Sequence, residues 1–293
     1  MVYYIQIIYN KILMLKEVRV NNPKSDDLKD QIKALYDTFK GIKQNPVNFR
    51  LSSCTWMHPL LTLTVCAHVR EYQSNYQQPQ SEQVKRYLRD ISFPNGIENA
   101  NQLSLLSYTI PIGFLKKADE TSRQGLESNF YRIIEKLTGN VAGASNAILY
   151  PISELVGNIF EHSQKNYGWI FAQHYPKKKL LDICIIDTGR GIAGRYFDVQ
   201  KQEVGDDEAI RRAFQGQSTK KMEGRGYGLS TSQLVVRKAL GGQFLLLTGN
   251  SVFLGSQGKQ VIVQLPNFYW QGVIISYQIP YPKGPIDITP YTE

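Results

Sequence analysis

"ASNAILYPISELVGNIFEHSQ", residues 144–164, puts two different faces on one stretch of chain. Ile148, Ile152, Leu155, Val156, Ile159 and Phe160 recur at the three- and four-residue spacing of an apolar helical stripe. Glu154, Asn158 and Glu161 stand at i, i+4 and i+7, so they share a second, polar face, with His162 beside it. A carboxylate and an amide one turn apart can hold a hydrated Mg2+ and orient a water or hydroxyl. A solvated helix face is the alternative reading of the same spacing.

Strands follow this helix. "WIFAQHYPKKKLLDICIIDTG" (residues 169–189) reads as two strands joined by a turn at residues 176–179. "DDEAIRRAFQGQ" is a short helix, and "LSTSQLVVRKALGG" a longer one ending at a glycine pair. "QFLLLTGNSVFLG" is a hairpin turning at Gly249-Asn250, with "KQVIVQLP" and "GVIISYQIP" as closing strands. This order predicts an α+β sandwich, a mixed sheet with helices on one face. Upstream, a short strand over residues 47–51, an apolar helix over 60–71 and an amphipathic helix opened by Ser81 come in turn. "QLSLLSYTIPIGFL" then reads as a buried strand, and "GLESNFYRIIEKLTG" as a helix closed by Gly139. Alternating elements predict a smaller α/β layer over residues 1–120, ahead of the sandwich at 121–293. The polar run "QSNYQQPQSEQ" (residues 73–83) is expected to be a loop.

Composition sets the outer limits. The 293 residues, 42% hydrophobic and 20% charged, are enough for one large core or two ordinary ones, without a disordered or coiled-coil bias. A net charge of +9 suits an anionic partner: a nucleotide, a nucleic acid or an acidic protein. Cys54, Cys66 and Cys184 lie in apolar runs without CxxC spacing, as buried thiols of a reducing compartment do. The apolar start "MVYYIQIIYNKILML" is too short to span a membrane and lacks a basic leader and cleavage site. It suits an edge strand, or an over-extended start ahead of Met14, and a cytoplasmic protein is expected.

Two further clusters carry chemistry. In "IIDTGRGI" a strand ends at Asp187 and is followed by Gly189 and Gly191. A carboxylate there faces space that bare backbone can approach, and it can accept a hydrogen bond from an exocyclic amine such as that of adenine. In "STKKMEGRGYGLS" (residues 218–230), Gly224, Gly226 and Gly228 alternate and lead into a helix, baring N–H groups for an anion. Ser218, Thr219, Lys220, Lys221 and Arg225 supply hydroxyls and cations. The spacing is GxGxG, and neither GxxxxGK[ST] nor an early GxGxxG is present.

The three clusters, in this order, resemble the Bergerat-fold ATPases, the superfamily of DNA gyrase, the heat-shock chaperone, histidine kinases, MutL and the anti-sigma-factor serine kinases. "SELVGNIFEHS" is similar to the family's N box, "DTGRGI" to its first glycine box and "GQSTKKMEGRGYGLS" to its second, within about residues 137–280. The resemblance implies ATP and Mg2+ as cofactors. Asn158 would coordinate the metal, and Glu154 would be the general base or orient the attacking group. Asp187 would bind the adenine amine, with Gly189 and Gly191 leaving room for the nucleotide. Residues 193–223 would form a lid, with Ser218, Thr219 and Lys220 near the phosphates. Gly224, Arg225, Gly226, Gly228 and Leu229 would surround the phosphate chain. The sequence departs from the family at its final strand, which usually begins Gly-Thr. Here Val273 follows Gly272, and Lys259 follows Gly258 in the other candidate strand.

"FRLSSCTWMHPLLTLTVCAHVR" resembles the strand-to-helix segment of STAS domains, without the phosphorylatable serine in the turn at residues 56–60. The two resemblances together imply an ATP-binding regulatory protein acting on a protein serine, with a regulatory protein partner and a possible homodimer. A nucleotide-gated interaction switch with little catalysis is the alternative. A sensor histidine kinase with His68 as acceptor is a third reading, although "HVREYQ" lacks the expected acidic residue after the histidine. His58, His68, His162 and His174 all read as structural. Nucleic acid and membrane are not expected partners.

Overall fold

The computed structural model describes residues 15–99, 110–139, 141–216 and 228–292. Seven strands form the main sheet: β4 (Gly113–Lys116), β5 (Tyr167–Tyr175), β6 (Leu180–Ile186), β7 (Gln243–Gly249), β8 (Ser251–Gly255), β9 (Gln260–Gln264) and β10 (Trp270–Pro280). They lie side by side in the order β4-β5-β6-β10-β7-β8-β9. Here the expectation of a mixed sheet is corrected, because every one of these pairings is antiparallel. β6 and β7 do run parallel, as strands joined by a crossover should, but β10 inserts between them and pairs antiparallel with both.

Side chains alternate across this sheet with the two-residue period of a strand. Ile170, Ala172, Ile183, Ile185, Phe244, Leu246, Ile275 and Tyr277 point to one face. Against them pack α4 (Glu120–Thr138), α5 (Ala144–His162) and α8 (Gly228–Leu234), which continues as a π-helical turn through Val235–Ala239. The apolar stripe of α5 faces the sheet: Ile148, Ile152, Leu155, Val156 and Ile159 are all buried. Two shorter helices, α6 (Gly191–Gln200) and α7 (Asp206–Phe214), occupy the start of the expected lid.

Trp169, Phe171, Cys184, Ile186, Leu245, Leu247 and Ile274 point to the opposite face, and the N-terminal layer covers them. That layer is a three-stranded sheet of β1 (Lys16–Arg19), β2 (Val47–Arg50) and β3 (Asn75–Gln77), with α1 (Leu28–Phe39) and α2 (Pro59–Tyr72) as its crossovers. Both of its pairings are parallel. α2 is buried continuously from Pro59 to His68, because it lies between the small sheet and strands β5 and β6 of the large one. Helix α3 (Glu82–Asp90) follows, with the Ser81 hydroxyl accepting from the Val84 N–H as an N-cap. All three cysteines are buried and unpaired. The expected edge strand in residues 1–14 lies outside the described residues, as does the part of the expected strand at 102–109.

Candidate functional site

One glycine from each glycine motif is pressed onto the helix that bears Glu154 and Asn158. Glu154 and Asn158 are half-buried on α5, and Glu161, one turn further on, is exposed. Gly228, the first residue of α8, abuts Glu154 so closely that a Cβ at Gly228 would lie 2.1 Å from the carboxylate Oε2. Gly189 abuts the end of the same helix, where a Cβ would lie 2.1 Å from the Ser163 carbonyl oxygen. Arg190 completes the join. Its backbone N–H donates to the Ser163 carbonyl at 3.0 Å, and its Nε donates to the His162 carbonyl at 2.8 Å. A cation on the last carbonyls of a helix is also favoured by the helix dipole. The guanidinium is held in turn by Asp198 on α6, at 2.6 Å.

Asp187 sits where β6 ends. It is buried, 6% exposed, and burial pushes its carboxyl up to about 7. Its Oδ1 accepts the Gly189 N–H at 2.8 Å, an Asx-turn that closes across Thr188. Its backbone is fixed by β10, since its N–H donates to the Val273 carbonyl at 2.9 Å and its carbonyl accepts from Trp270 Nε1 at 3.1 Å. Gly272 makes this approach possible. It holds φ +107°, and a Cβ there would lie 2.2 Å from the Asp187 carbonyl oxygen. Gly191, at φ +72°, likewise faces Thr248 Oγ1, 2.8 Å from where its Cβ would be.

Val273 lacks the hydroxyl expected at the start of the last strand, yet its partner across the β10–β7 pairing is Thr248. The Thr248 hydroxyl is fully buried, donates to the Gly272 carbonyl at 2.9 Å and accepts from the Ile192 N–H at 3.2 Å. A hydroxyl is therefore present at this level of the sheet, where it ties the start of α6 to β10. Sequence reasoning did not find it, because the β7–β10 register is fixed by a long-range pairing.

A second group missed from sequence surrounds the same turn. Glu71, at the end of α2, accepts hydrogen bonds from Lys165 Nζ at 2.6 Å, Tyr167 Oη at 2.6 Å and Thr188 Oγ1 at 3.0 Å. Burial alone would raise its pKa, but the hydrogen bonds from Lys165, Tyr167 and Thr188 outweigh it and hold the carboxyl below the ordinary glutamate value.

Of the residues singled out in the sequence, Glu154, Asn158, Asp187, Gly189, Gly191, Gly228 and Leu229 are on these elements. Ser218, Thr219, Lys220, Lys221, Gly224, Arg225 and Gly226 lie outside the described residues. His58, His68 and His174 are packed away from the motifs. His68 is 2% exposed, with Nδ1 2.9 Å from Ser74 Oγ and its ring edge-on to Phe49. His58 lies between Tyr175 Oη and Asp26, and burial lowers both histidines to about 4. His174 is buried with Nδ1 3.1 Å from Tyr281 Oη, and His162 sits at the end of α5 beside Glu161. Among the described residues no group of three or more His, Cys, Asp or Glu side chains could hold a metal ion, and no helix is long and apolar enough to cross a membrane.

Residues 143–268 match the family described as "Histidine kinase-, DNA gyrase B-, and HSP90-like ATPase". No curated protein matches the chain. Among solved structures, it is similar to the histidine kinase domain of the blue-light activated histidine kinase from Erythrobacter litoralis EL346, at 15% identity and a TM-score of 0.22. That match covers 53% of this chain and 59% of the other, so the chain spans under two thirds of that structure's length. The matched residues run from the residue before α5 to the turn before β10. Residues 143–268 are thus a domain of the histidine kinase-, DNA gyrase B- and HSP90-like ATPase family.

Proposed function

We propose that this chain is an ATP-binding regulatory protein whose ATPase domain takes Mg-ATP between α5, the Asp187 turn and the start of α8. The observation that carries the reading is the packing of Gly189 and Gly228, one residue from each glycine motif, on the one helix that bears Glu154 and Asn158. The Asp187 carboxylate, which also accepts backbone N–H groups of Gly189 and Val273, would accept the adenine amine. Gly228 and Leu229 at the start of α8 present N–H groups to phosphate oxygens. By resemblance alone, Ser218, Thr219, Lys220, Gly224, Arg225 and Gly226 are assigned to the phosphate chain as well.

A magnesium ion would rest on Asn158 and on the phosphates themselves, since the donors present fit a hard cation shared with a ligand rather than an all-protein cage. When bound, it would neutralise charge on the triphosphate. Glu154 would hold or accept the proton of the attacking group, a protein serine in the kinase reading and a water in the ATPase reading.

A second reading, a nucleotide-gated interaction switch, is favoured by the hydrogen bond that the Thr188 hydroxyl of the Asp187 turn donates to Glu71 in the N-terminal layer. In either reading the N-terminal layer, from β1 to α3, is the STAS-like regulatory part, facing a protein partner or a second copy, in the cytoplasm. Autophosphorylation at His68 is disfavoured by its burial in the core.

Calorimetry of Mg-ATP with the native chain, Asn158→Ala and Asp187→Asn tests the site. The expected result is micromolar binding that weakens at least tenfold in both variants. Absence of binding by the folded native chain would overturn the nucleotide reading. Label from the γ-phosphate then separates a kinase, which leaves it on protein, from a switch or ATPase, which releases it as free phosphate.

A further inference from the structure

Thr188 stands between Asp187 and Gly189, and the hydrogen bond from the Gly189 N–H to Asp187 Oδ1 closes across it. Its conformation therefore sets where the rest of the Asp187 carboxylate points. The Thr188 side chain is 1% exposed, and its hydroxyl donates to Glu71, 117 residues earlier in the chain.

Glu71 is placed to act on this turn. It ends α2, the helix wedged between the two sheets, and its side chain is 13% exposed. An ionised carboxylate has about four acceptor sites. Lys165, Tyr167 and Thr188 each donate to one, gathering the end of the α5 turn, the start of β5 and the Asp187 turn at one group. The other side of the turn is held by Trp270, whose Nε1 bonds the Asp187 carbonyl and whose ring meets Phe39 of α1 edge-on, 6.2 Å between centroids. The fixings on both sides of the Asp187 turn thus lead to the N-terminal layer.

We propose that Glu71 is a positioning residue of the nucleotide pocket, which through Thr188 aims Asp187 and so lets the N-terminal layer set selectivity for adenine. This rests on the nucleotide reading above. Displacing α2, as a partner docking on the small sheet would do, releases the Thr188 hydroxyl and loosens the turn. The pocket then loses its discrimination for the base while the phosphate contacts at the start of α8 persist.

The test compares ATP with inosine triphosphate, which carries a carbonyl where adenine has its amine. Affinities of both are measured by calorimetry on the full chain, native and with Glu71→Ala, Glu71→Gln, Thr188→Val and the Ala/Val double substitution. The native chain should prefer ATP. Glu71→Ala and Thr188→Val should each cut that preference at least fivefold while inosine triphosphate binding stays within twofold. The double variant should lose no more than either single one. Glu71→Gln should recover part of the preference, because its amide oxygen still accepts from Thr188.

A purely structural glutamate would lower the melting temperature and leave the preference alone. Folded variants that keep the native preference within twofold, or that lose both nucleotides equally, overturn the inference. Thr188→Val decides the matter if Glu71→Ala does not fold. If Asp187→Asn abolishes the preference and the Glu71 and Thr188 variants do not, only the role of Glu71 falls. A native chain that binds neither nucleotide removes the nucleotide reading and this inference with it.

Discussion

Asp182 on β6 is wholly buried, accepting amide hydrogen bonds from Gln31 at 3.1 Å and Gln278 at 2.9 Å, while its Oδ1 has no hydrogen-bond partner. Burial pushes its carboxyl up to about 7, as it does that of Asp187. Because both pKa values are raised by folding, the stability linked to these groups is complete below about pH 4 and is lost as pH rises towards 7. One such acid contributes a slope approaching ~1.4 kcal/mol per pH unit within that window. The buried His58 and His68, lowered to about 4, contribute an opposite slope over much of the same range, so the decline is read as a difference. The stability of the native chain minus that of Asp182→Asn, from urea unfolding of the nucleotide-free chains, should fall between pH 4 and 7. A native-minus-variant difference that stays flat or rises over that range would contradict the assignment. Gly272 gives a second residue-scale expectation. A methyl group at its φ of +107°, against the Asp187 carbonyl, should cost about 1–3 kcal/mol. Gly272→Ala should therefore lower the denaturant midpoint and weaken ATP binding together.

Helix α5 is the element on which the site is built, and its ends matter as much as its polar face. Its N-cap, Gly143, makes no side-chain capping bond, and Pro151 lies within the helix. Buried apolar contacts on the sheet therefore supply most of what stabilises it. At the other end Arg190 donates to the His162 carbonyl and pairs with Asp198, joining α5, the Asp187 turn and α6. Arg190→Ala should cost about 1 kcal/mol through the lost cap. It should also raise the protease sensitivity of α6, read by limited proteolysis. Most of this element's placement was legible in sequence, because a 3.6-residue stripe and an i, i+4, i+7 polar face are local signals. So were the hairpin at Gly249-Asn250 and the glycine that closes α4. The insertion of β10 between β6 and β7 was not, since nothing in the chain order states which strands neighbour. Thr248 opposite Val273 follows from that insertion, and Glu71 beside Thr188 from the stacking of two layers. Both are products of tertiary packing between distant segments, and no spacing rule reaches them.

On the scale of the whole molecule, the seven-stranded sheet is apolar on both faces, and each face is covered by a different part of the chain. α4 and the helices of the ATPase family match cover one face. α1 and α2 of the N-terminal layer cover the other, over Trp169, Phe171, Leu245, Leu247 and Ile274. Exposing these side chains would create a continuous apolar patch of the kind that drives association. A fragment beginning at residue 110 is therefore expected to aggregate, or to bind a hydrophobic dye while keeping strand signal in its circular dichroism. The full chain should unfold with both layers together. Trp169 and Trp270 are buried among the residues that join the layers, so their fluorescence reports that junction directly. Far-ultraviolet circular dichroism reports the secondary structure of both layers. In a urea titration the two transitions should coincide, because the layers share one core. A fluorescence change at clearly lower urea would mean that the N-terminal layer separates first. Its grip on the Asp187 turn would then be reversible under mild conditions, the behaviour required of a regulatory input.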